Sequence, residues 1–365
     1  MLFYRMVKIK KETYIIFSIR LPKYIWQMYV SVRERVKNTF IKYPKIWNAM
    51  QSFKTVMYGY NYLKYYKLPR TNRSGSIREI NVEFCSACNL RCKFCSLDHL
   101  KPKQYLSPKV LEKLLEEISS NKKFIKVEVI NLYNGGETLL HPKRLELFEV
   151  IAKHKAICIE KGIKFPKVLL LTNGMLLRKE LAESILKLNV LDVIQFSLDG
   201  GTVEKFEYLR TNAKWDKFNN NVLELIVLKN KLKSNLQIKS ITIVEEPNPL
   251  TIDWMEDEFK SLIQKMDSFE LRRLHDWGGE VELETDAKPT KYKLGCNMAM
   301  HQMVVLPNGD VTMCCNDLNS KGVVGNVLDK PLGEIYSSKE RRVYLDKLMW
   351  GKRNELDLCK GCQSF

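Results

Sequence analysis

The sequence predicts an α/β protein of about six strand–helix units with parallel strands and crossover helices, flanked by a basic arm and a cysteine-bearing tail. Three observations predict it. From Ile77 to Leu274 short extended patterns alternate with longer helical ones. The cysteines gather directly behind the first of those strands and again near the end of the chain. The net charge of +18 is unevenly spread: residues 1–75 hold 16 Lys/Arg against Glu12 and Glu34, a balance of +14, while the remaining 290 balance at +4.

With 365 residues, 45% apolar and 28% charged, the chain is suited to packed cores and not to disorder. No apolar run approaches the ~18–20 residues of a membrane span. The first 20 residues hold only the apolar stretch Tyr14–Phe17 between basic residues, too short for a signal-peptide core. Ten cysteines in this length are too sparse for a disulfide scaffold, so a reducing cytoplasm is expected, where clustered cysteines read as metal ligands or redox groups.

In the arm, residues 1–76, Ile25, Tyr29, Val32, Val36, Phe40 and Tyr43 recur at helical spacing, as do Ile46, Met50, Phe53, Met57 and Tyr60, with a break near Pro44. Sixteen of the 37 aromatic residues lie there, including Trp26 and Trp47. A basic amphipathic helix bordered by Trp and Tyr suits peripheral contact with an anionic inner membrane face, where each cation contributes about 1 kcal/mol. The other reading is two helices packed on the body with a solvated basic face. Nucleic acid is not expected as a partner.

Ile77–Phe84 alternates apolar and polar residues and reads as a strand. Cys85-Ser-Ala-Cys88-Asn-Leu-Arg-Cys92-Lys-Phe94-Cys95 follows at once. Three thiolates on one loop can hold three irons of a [4Fe–4S] cube and leave the fourth open; the competing reading is zinc on Cys85, Cys88, Cys92 and Cys95. The spacing Cys88-x3-Cys92-x2-Cys95, with Phe94 before the last cysteine, resembles the radical S-adenosylmethionine (radical SAM) superfamily. The resemblance implies that the open iron chelates SAM and that one electron then yields a 5′-deoxyadenosyl radical that takes hydrogen from a substrate. It also implies a one-electron donor such as a flavodoxin or ferredoxin. Cys85 departs from the family pattern, where a hydroxyl residue is common; it reads as a small packed residue, the other readings being a spare thiol near the cluster or a hydrogen donor.

Beyond the loop, helices are expected over Pro108–Ser119, Leu145–Lys161, Lys179–Lys187, Trp215–Asn230 and Glu256–Met266. Strands are expected over Lys126–Leu132, Lys167–Leu171, Val190–Ser197, Leu236–Val244 and Phe269–Leu274. The count matches the partial (β/α)6 TIM barrel of the radical SAM core, assigned to 77–285, whose active residues lie at the carboxyl ends of the strands. Tyr133-Asn-Gly135-Gly136-Glu137 resembles the turn that binds the SAM amino group through backbone carbonyls, with Thr138 where the family usually has proline. Asn173-Gly174 ends the next strand as in the family. In Ser197-Leu-Asp199-Gly200, Ser197 would bind the SAM carboxylate or ribose, and Arg210 resembles the arginine that clamps the carboxylate. Each alone is an ordinary loop; in order behind the cysteines they set the zinc reading aside. His275-Asp276-Trp277, at another strand end, is the candidate proton acceptor and substrate wall; the alternative is a capped loop.

Cys296, Cys314, Cys359 and Cys362 form the second group. Met303–Leu306 and Val311–Cys314 read as a hairpin around Asn-Gly, and Pro331–Trp350 as a helix. This order resembles the SPASM/twitch extension in its short form, assigned to 286–365, and implies one auxiliary [4Fe–4S] cluster ligated by all four cysteines. Zinc is the other reading of these four. Cys315 is a candidate ligand or hydrogen donor, and Cys158 reads as core.

The resemblance implies a radical SAM oxidoreductase or epimerase acting on a sugar, cyclitol or lipid-linked sugar. A maturase of peptides or proteins is the second reading, and a non-catalytic iron–sulfur protein at a membrane the third. Anaerobic reconstitution should load about eight irons, two four-iron cubes, by iron and sulfide analysis. Cys92→Ala should abolish reductive SAM cleavage, measured as 5′-deoxyadenosine; retained cleavage would remove the cluster from these cysteines.

Overall fold

The computed structural model describes residues 77–120, 127–245, 247–274, 276, 277, 279–281 and 295–362, together with 13–16, 19–22, Val56, Gly59, Tyr60, Tyr62 and Leu63. Most of the helical arm and any membrane contact it makes therefore lie outside the described residues, as do His275 and most of the segment around the expected domain boundary at 285. The described pieces of the arm are a two-stranded ladder, β1 (Thr13–Ile16) with β2 (Ile19–Pro22), and helical positions near residue 60. Tyr62 is buried and its hydroxyl donates to Asp346, while Gly59 lies against Met349. This part of the arm thus packs on the carboxy-terminal region.

Six parallel strands form the body: β3 (Glu79–Val82), β5 (Val129–Leu132), β6 (Lys167–Thr172), β7 (Val193–Ser197), β9 (Gln237–Ile243) and β10 (Ser268–Arg272). Five helices accompany them: α1 (Pro108–Ser119), α2 (Arg144–Glu160), α3 (Lys179–Leu188), α5 (Trp215–Lys231) and α6 (Asp257–Lys265). The strands neighbour one another in chain order and β10 is an open edge, so the body is a partial barrel of the expected kind. In β9, Gln237, Lys239, Ile241 and Ile243 are half-buried while the residues between them are buried, so the half-buried face lines the barrel and the other meets the helices. Chain chemistry starts the helices where they start. Ser107 accepts from the Val110 N–H ahead of Pro108, and Thr202 does the same for Lys205 at the head of α4 (Val203–Leu209).

The carboxy-terminal region does not stand apart. After α7 (Asn297–His301), β11 (Gln302–Val305) pairs parallel with β3, and β12 (Asp310–Thr312) and β13 (Val323–Asn326) continue antiparallel, giving one nine-stranded sheet. The single helix expected over Pro331–Trp350 is instead two, α8 (Leu332–Tyr336) and α9 (Lys339–Met349), because Ser338 turns extended and caps the Arg341 N–H. Buried Glu117 of α1 accepts from the N–H groups of Leu332 and Gly333, so a barrel helix caps α8. Fully buried Arg341 donates to the carbonyls of Tyr336 and Ala299 and stacks 3.8 Å over the Tyr336 ring.

Beneath α4, α5 and α6 the core is aromatic. Trp215 stacks on Phe259 with centroids 4.3 Å apart, and Phe206 meets Phe218 at 5.1 Å. Phe206→Ala should lower stability by about 3–5 kcal/mol, read from a denaturant midpoint with unchanged slope.

Candidate active site

Cys88, Cys92 and Cys95 lie half-buried on the loop behind β3. The first limb of that loop, β4 (Arg91–Cys92), pairs antiparallel with β8 (Arg210–Thr211), so Cys92 sits opposite Arg210. Lys93 N–H donates to Leu209 O at 2.9 Å. The Gly135-Gly136-Glu137 turn closes from the other side: Glu137 N–H donates to Ala87 O at 2.9 Å. A Cβ on Gly136 would lie 1.7 Å from Cys85 O and 2.7 Å from Ala87 O, so only glycine permits this approach. Cys85 is buried, its thiol exchanging hydrogen bonds with the Ala87 backbone, and burial pushes it up to about 11, consistent with a packed residue. Cys158 is buried within α2.

The strand-end residues converge on the thiols. Asn173 Nδ2 stands 3.9 Å from Cys88 Sγ and donates to Asn89 at 2.9 Å. Arg210 Nη1 is 3.9 Å from Cys92 Sγ, with the guanidinium 5.8 Å above the Phe94 ring. Its Nε and Nη2 both donate to Asp199 Oδ2, at 2.8 and 2.5 Å, and Asp199 Oδ1 accepts from Ile243 N–H at 2.6 Å. The carboxylate that engages Arg210 is therefore the protein's own, which leaves Nη1 as the group turned to the cysteines. Glu137 has both oxygens engaged: Thr172 Oγ1 (2.8 Å) and Leu139 N–H (3.1 Å) bond Oε1, and Asn173 N–H (2.9 Å) bonds Oε2. Burial nonetheless raises its pKa. Its side chain thus braces the glycine turn against the end of β6. Ser197 is half-buried at the last position of β7.

Cys296, Cys314, Cys359 and Cys362 are each half-buried, and the Cys359 thiol is pushed up by burial and by Cys296, Cys314 and Cys362, against the opposing Arg353 guanidinium. Asp276 is only 2% exposed, and its loop packs so closely on the tail that a Cβ on Gly279 would lie 2.5 Å from the Gly361 carbonyl carbon. The loop that carries Asp276 and Trp277 thus meets the Cys359–Cys362 segment through Gly279, while His275 lies outside the described residues. Asn319 was not singled out from sequence, for a lone loop asparagine carries no pattern. It accepts from Asp98 N–H (3.0 Å) and donates to Ser96 O (3.0 Å), joining the loops that follow the two cysteine groups. Glu83, also not singled out, is buried and accepts from Gly135 N–H at 2.8 Å, with burial raising its pKa. Its signal was visible: it is an acid on the lumen side of the first strand, directly before the cysteines.

Residues 82–228 match the family model described as "Radical SAM superfamily", and residues 296–363 the model described as "Iron-sulfur cluster-binding domain", SPASM. The chain belongs to the radical SAM superfamily and carries a carboxy-terminal SPASM domain. Among curated proteins it is similar to the S-adenosyl-L-methionine-dependent 2-deoxy-scyllo-inosamine dehydrogenase of Niallia circulans, 28% identical over 82 residues, 22% of this chain and 33% of that protein. It is also similar to the tungsten-containing aldehyde ferredoxin oxidoreductase cofactor-modifying protein of Pyrococcus furiosus, 26% identical over 123 residues, 34% and 31% of the two chains. These alignments span about a third of each relative's length. Among solved structures, BtrN in complex with AdoMet and 2-DOIA has a TM-score of 0.52 at 19% identity over 79% of this chain and 93% of that one. SuiB of Streptococcus suis bound to precursor peptide SuiA has 0.56 at 16%, over 79% and 71%.

The two domains imply a SAM-binding [4Fe–4S] cluster and an auxiliary iron–sulfur cluster, and the residues present fit both. Burial pushes the Cys88 thiol up to about 12 and raises Cys92 and Cys95, so these sulfurs become anionic only with a metal to take the charge. Asn173 Nδ2 and Arg210 Nη1 are donors turned toward them. Gly136→Ala must push the turn off the cysteine loop. It should weaken SAM binding at least about tenfold by equilibrium dialysis, a loss of about 1.4 kcal/mol, with iron content retained.

Proposed function

We propose that the protein reductively cleaves SAM and abstracts hydrogen from a sugar, cyclitol or lipid-linked sugar, which it dehydrogenates or epimerises. One observation carries the reading: Asn173, the Gly135–Gly136 backbone and the Asp199–Arg210 pair enclose three cysteines on a single loop. Cluster and SAM together supply one electron and a hydrogen-abstracting radical when bound. The protein's part is to fix them and keep water away.

The lumen supports a hydroxyl-rich substrate. Glu270 and Arg272 of β10 are in register with the inward Ile241 and Ile243 of β9, and Arg272 Nε donates to Glu270 Oε1 at 2.7 Å. Arg272 is 54% exposed; burial works against its charge, and the Glu270 carboxylate beside it more than offsets that. Tyr133, just before the glycine turn, faces the same groups; burial raises its phenol strongly, so it stays a neutral donor. The wall thus offers donors (Tyr133, Arg272) beside an acceptor (Glu270), between the two cysteine groups. The Glu270 carboxylate, steadied by Arg272, is placed to take a hydroxyl proton. Buried Asp276 is the alternative base, and Cys315 is the candidate thiol to return hydrogen in an epimerisation. The local likeness to the inosamine dehydrogenase supports the same class.

The test offers reconstituted enzyme, SAM and dithionite an aminocyclitol and hexosamine panel and a set of short peptides. Stimulated 5′-deoxyadenosine with a two-hydrogen mass loss marks dehydrogenation; deuterium uptake from solvent marks epimerisation. Stimulation by peptides alone replaces the sugar reading with the maturase.

A further inference from the structure

One guanidinium beside the second cysteine group has more donors than the protein supplies with acceptors. Arg353 opens the short turn Arg353–Glu355 that follows α9. Its Nη2 donates at 3.0 Å to the carbonyl of Gly295, the residue directly before Cys296. Its Nε is buried and meets no acceptor. Among the described residues no carboxylate pairs with it. The acids in its surroundings are engaged elsewhere. Glu355 faces Lys347 at 3.3 Å and Lys352 at 3.9 Å, Asp357 faces Lys360 at 3.1 Å, and Asp317 accepts from the N–H groups of Lys321 and Gly322.

The backbone brings this arginine to the cysteines. Leu356 N–H donates to Arg353 O at 3.0 Å, Cys359 N–H to Leu356 O at 2.8 Å and Cys362 N–H to Cys359 O at 3.2 Å, so consecutive turns lead from Arg353 to both terminal cysteines. The bond to Gly295 fixes the same side chain at the approach to Cys296. Its charge favours the Cys359 thiolate, against burial and the neighbouring thiols. A buried donor left bare is costly, and one on a charged group more so, which makes the Nε an atom in want of a partner. What its neighbourhood offers is sulfur: the four cysteines and, in an iron–sulfur cube, the sulfides they enclose.

We infer that Arg353 donates from Nε to a sulfur of the auxiliary cluster and holds that cluster's reduction potential up. A cube on four thiolates is a net anion and becomes more so on reduction, so a fixed cation beside it stabilises the reduced form more than the oxidised one. Reduction takes up one electron and moves no atom. The inference rests on the SAM-cleaving reading above and sharpens it: a raised potential inclines the site to dehydrogenation, which leaves one electron to be taken up, over epimerisation, which leaves none on the substrate. Arg353 is a positioning residue and touches no substrate. Were it only a clamp on Gly295, the potential would not depend on its charge.

The test is a redox titration of the reconstituted full chain followed by EPR, in wild type, Arg353→Gln and Arg353→Lys, with iron and zinc analysed in each. The two cubes are told apart by adding SAM, which alters the signal of the one held by Cys88, Cys92 and Cys95. Arg353→Gln keeps a donor and loses the charge; it should lower the potential of the other cube by at least about 59 mV, a tenfold change in its one-electron equilibrium. Arg353→Lys keeps the charge and should lower it by less. Equal potentials in all three proteins overturn the inference. So does loss of the auxiliary iron from both variants, which makes Arg353 a structural clamp, and so does zinc on the four cysteines. If one cube answers to SAM and the other ignores residue 353, this inference falls alone. If neither cube answers to SAM, the SAM-cleaving reading falls first.

Discussion

The site depends on a backbone-to-backbone contact that leaves no room for a side chain. Gly136 lies against the carbonyls of Cys85 and Ala87, and the Glu137 N–H bonds the second of them. Around that contact, Glu137 ties the turn to the end of β6, and the β4–β8 ladder ties the other limb of the cysteine loop to Arg210. Three thiols whose charge the surroundings disfavour are thereby held by hydrogen-bonded backbone, with Cys88 and Cys92 also packed on the core. Such a frame keeps ligand positions fixed while the bound group changes charge.

Much of the fold was legible in the chain because its signals are local. The helix at Pro108–Ser119 is announced by Ser107 and proline, and the β9 alternation is written in Gln237–Ile243. What escaped depends on distant partners. The β4–β8 ladder has two residues per strand and no periodicity to read. The break between α8 and α9 follows from Ser338 turning extended, and apolar spacing runs across it without interruption. The union of the tail with the body is a pairing of β11 with β3, about which neither strand's composition says anything.

The candidate site divides the same way. Cysteine spacing and strand-end glycines are sequence properties, whereas the bonds of each polar side chain are not. Arg210 and Glu137 read naturally as ligand contacts, yet Asp199 engages the first and Thr172, Asn173 and Leu139 the second. Tyr133 follows β5 while Glu270 and Arg272 lie on β10, four places away in the sheet order, and no sequence pattern links them.

The pairing of β3 with β11 joins residues near 80 to residues near 303. On a ribosome the first barrel strand emerges long before its neighbour on that side exists. Until then β3 keeps a bare row of N–H and C=O groups next to a loop of unmetallated thiols, a state open to misassociation. Closing so long a loop is a late and slow event. Cells that make this protein therefore face a question of timing, in which insertion of iron and sulfide must wait for, or be shielded until, residues 302–305 have arrived.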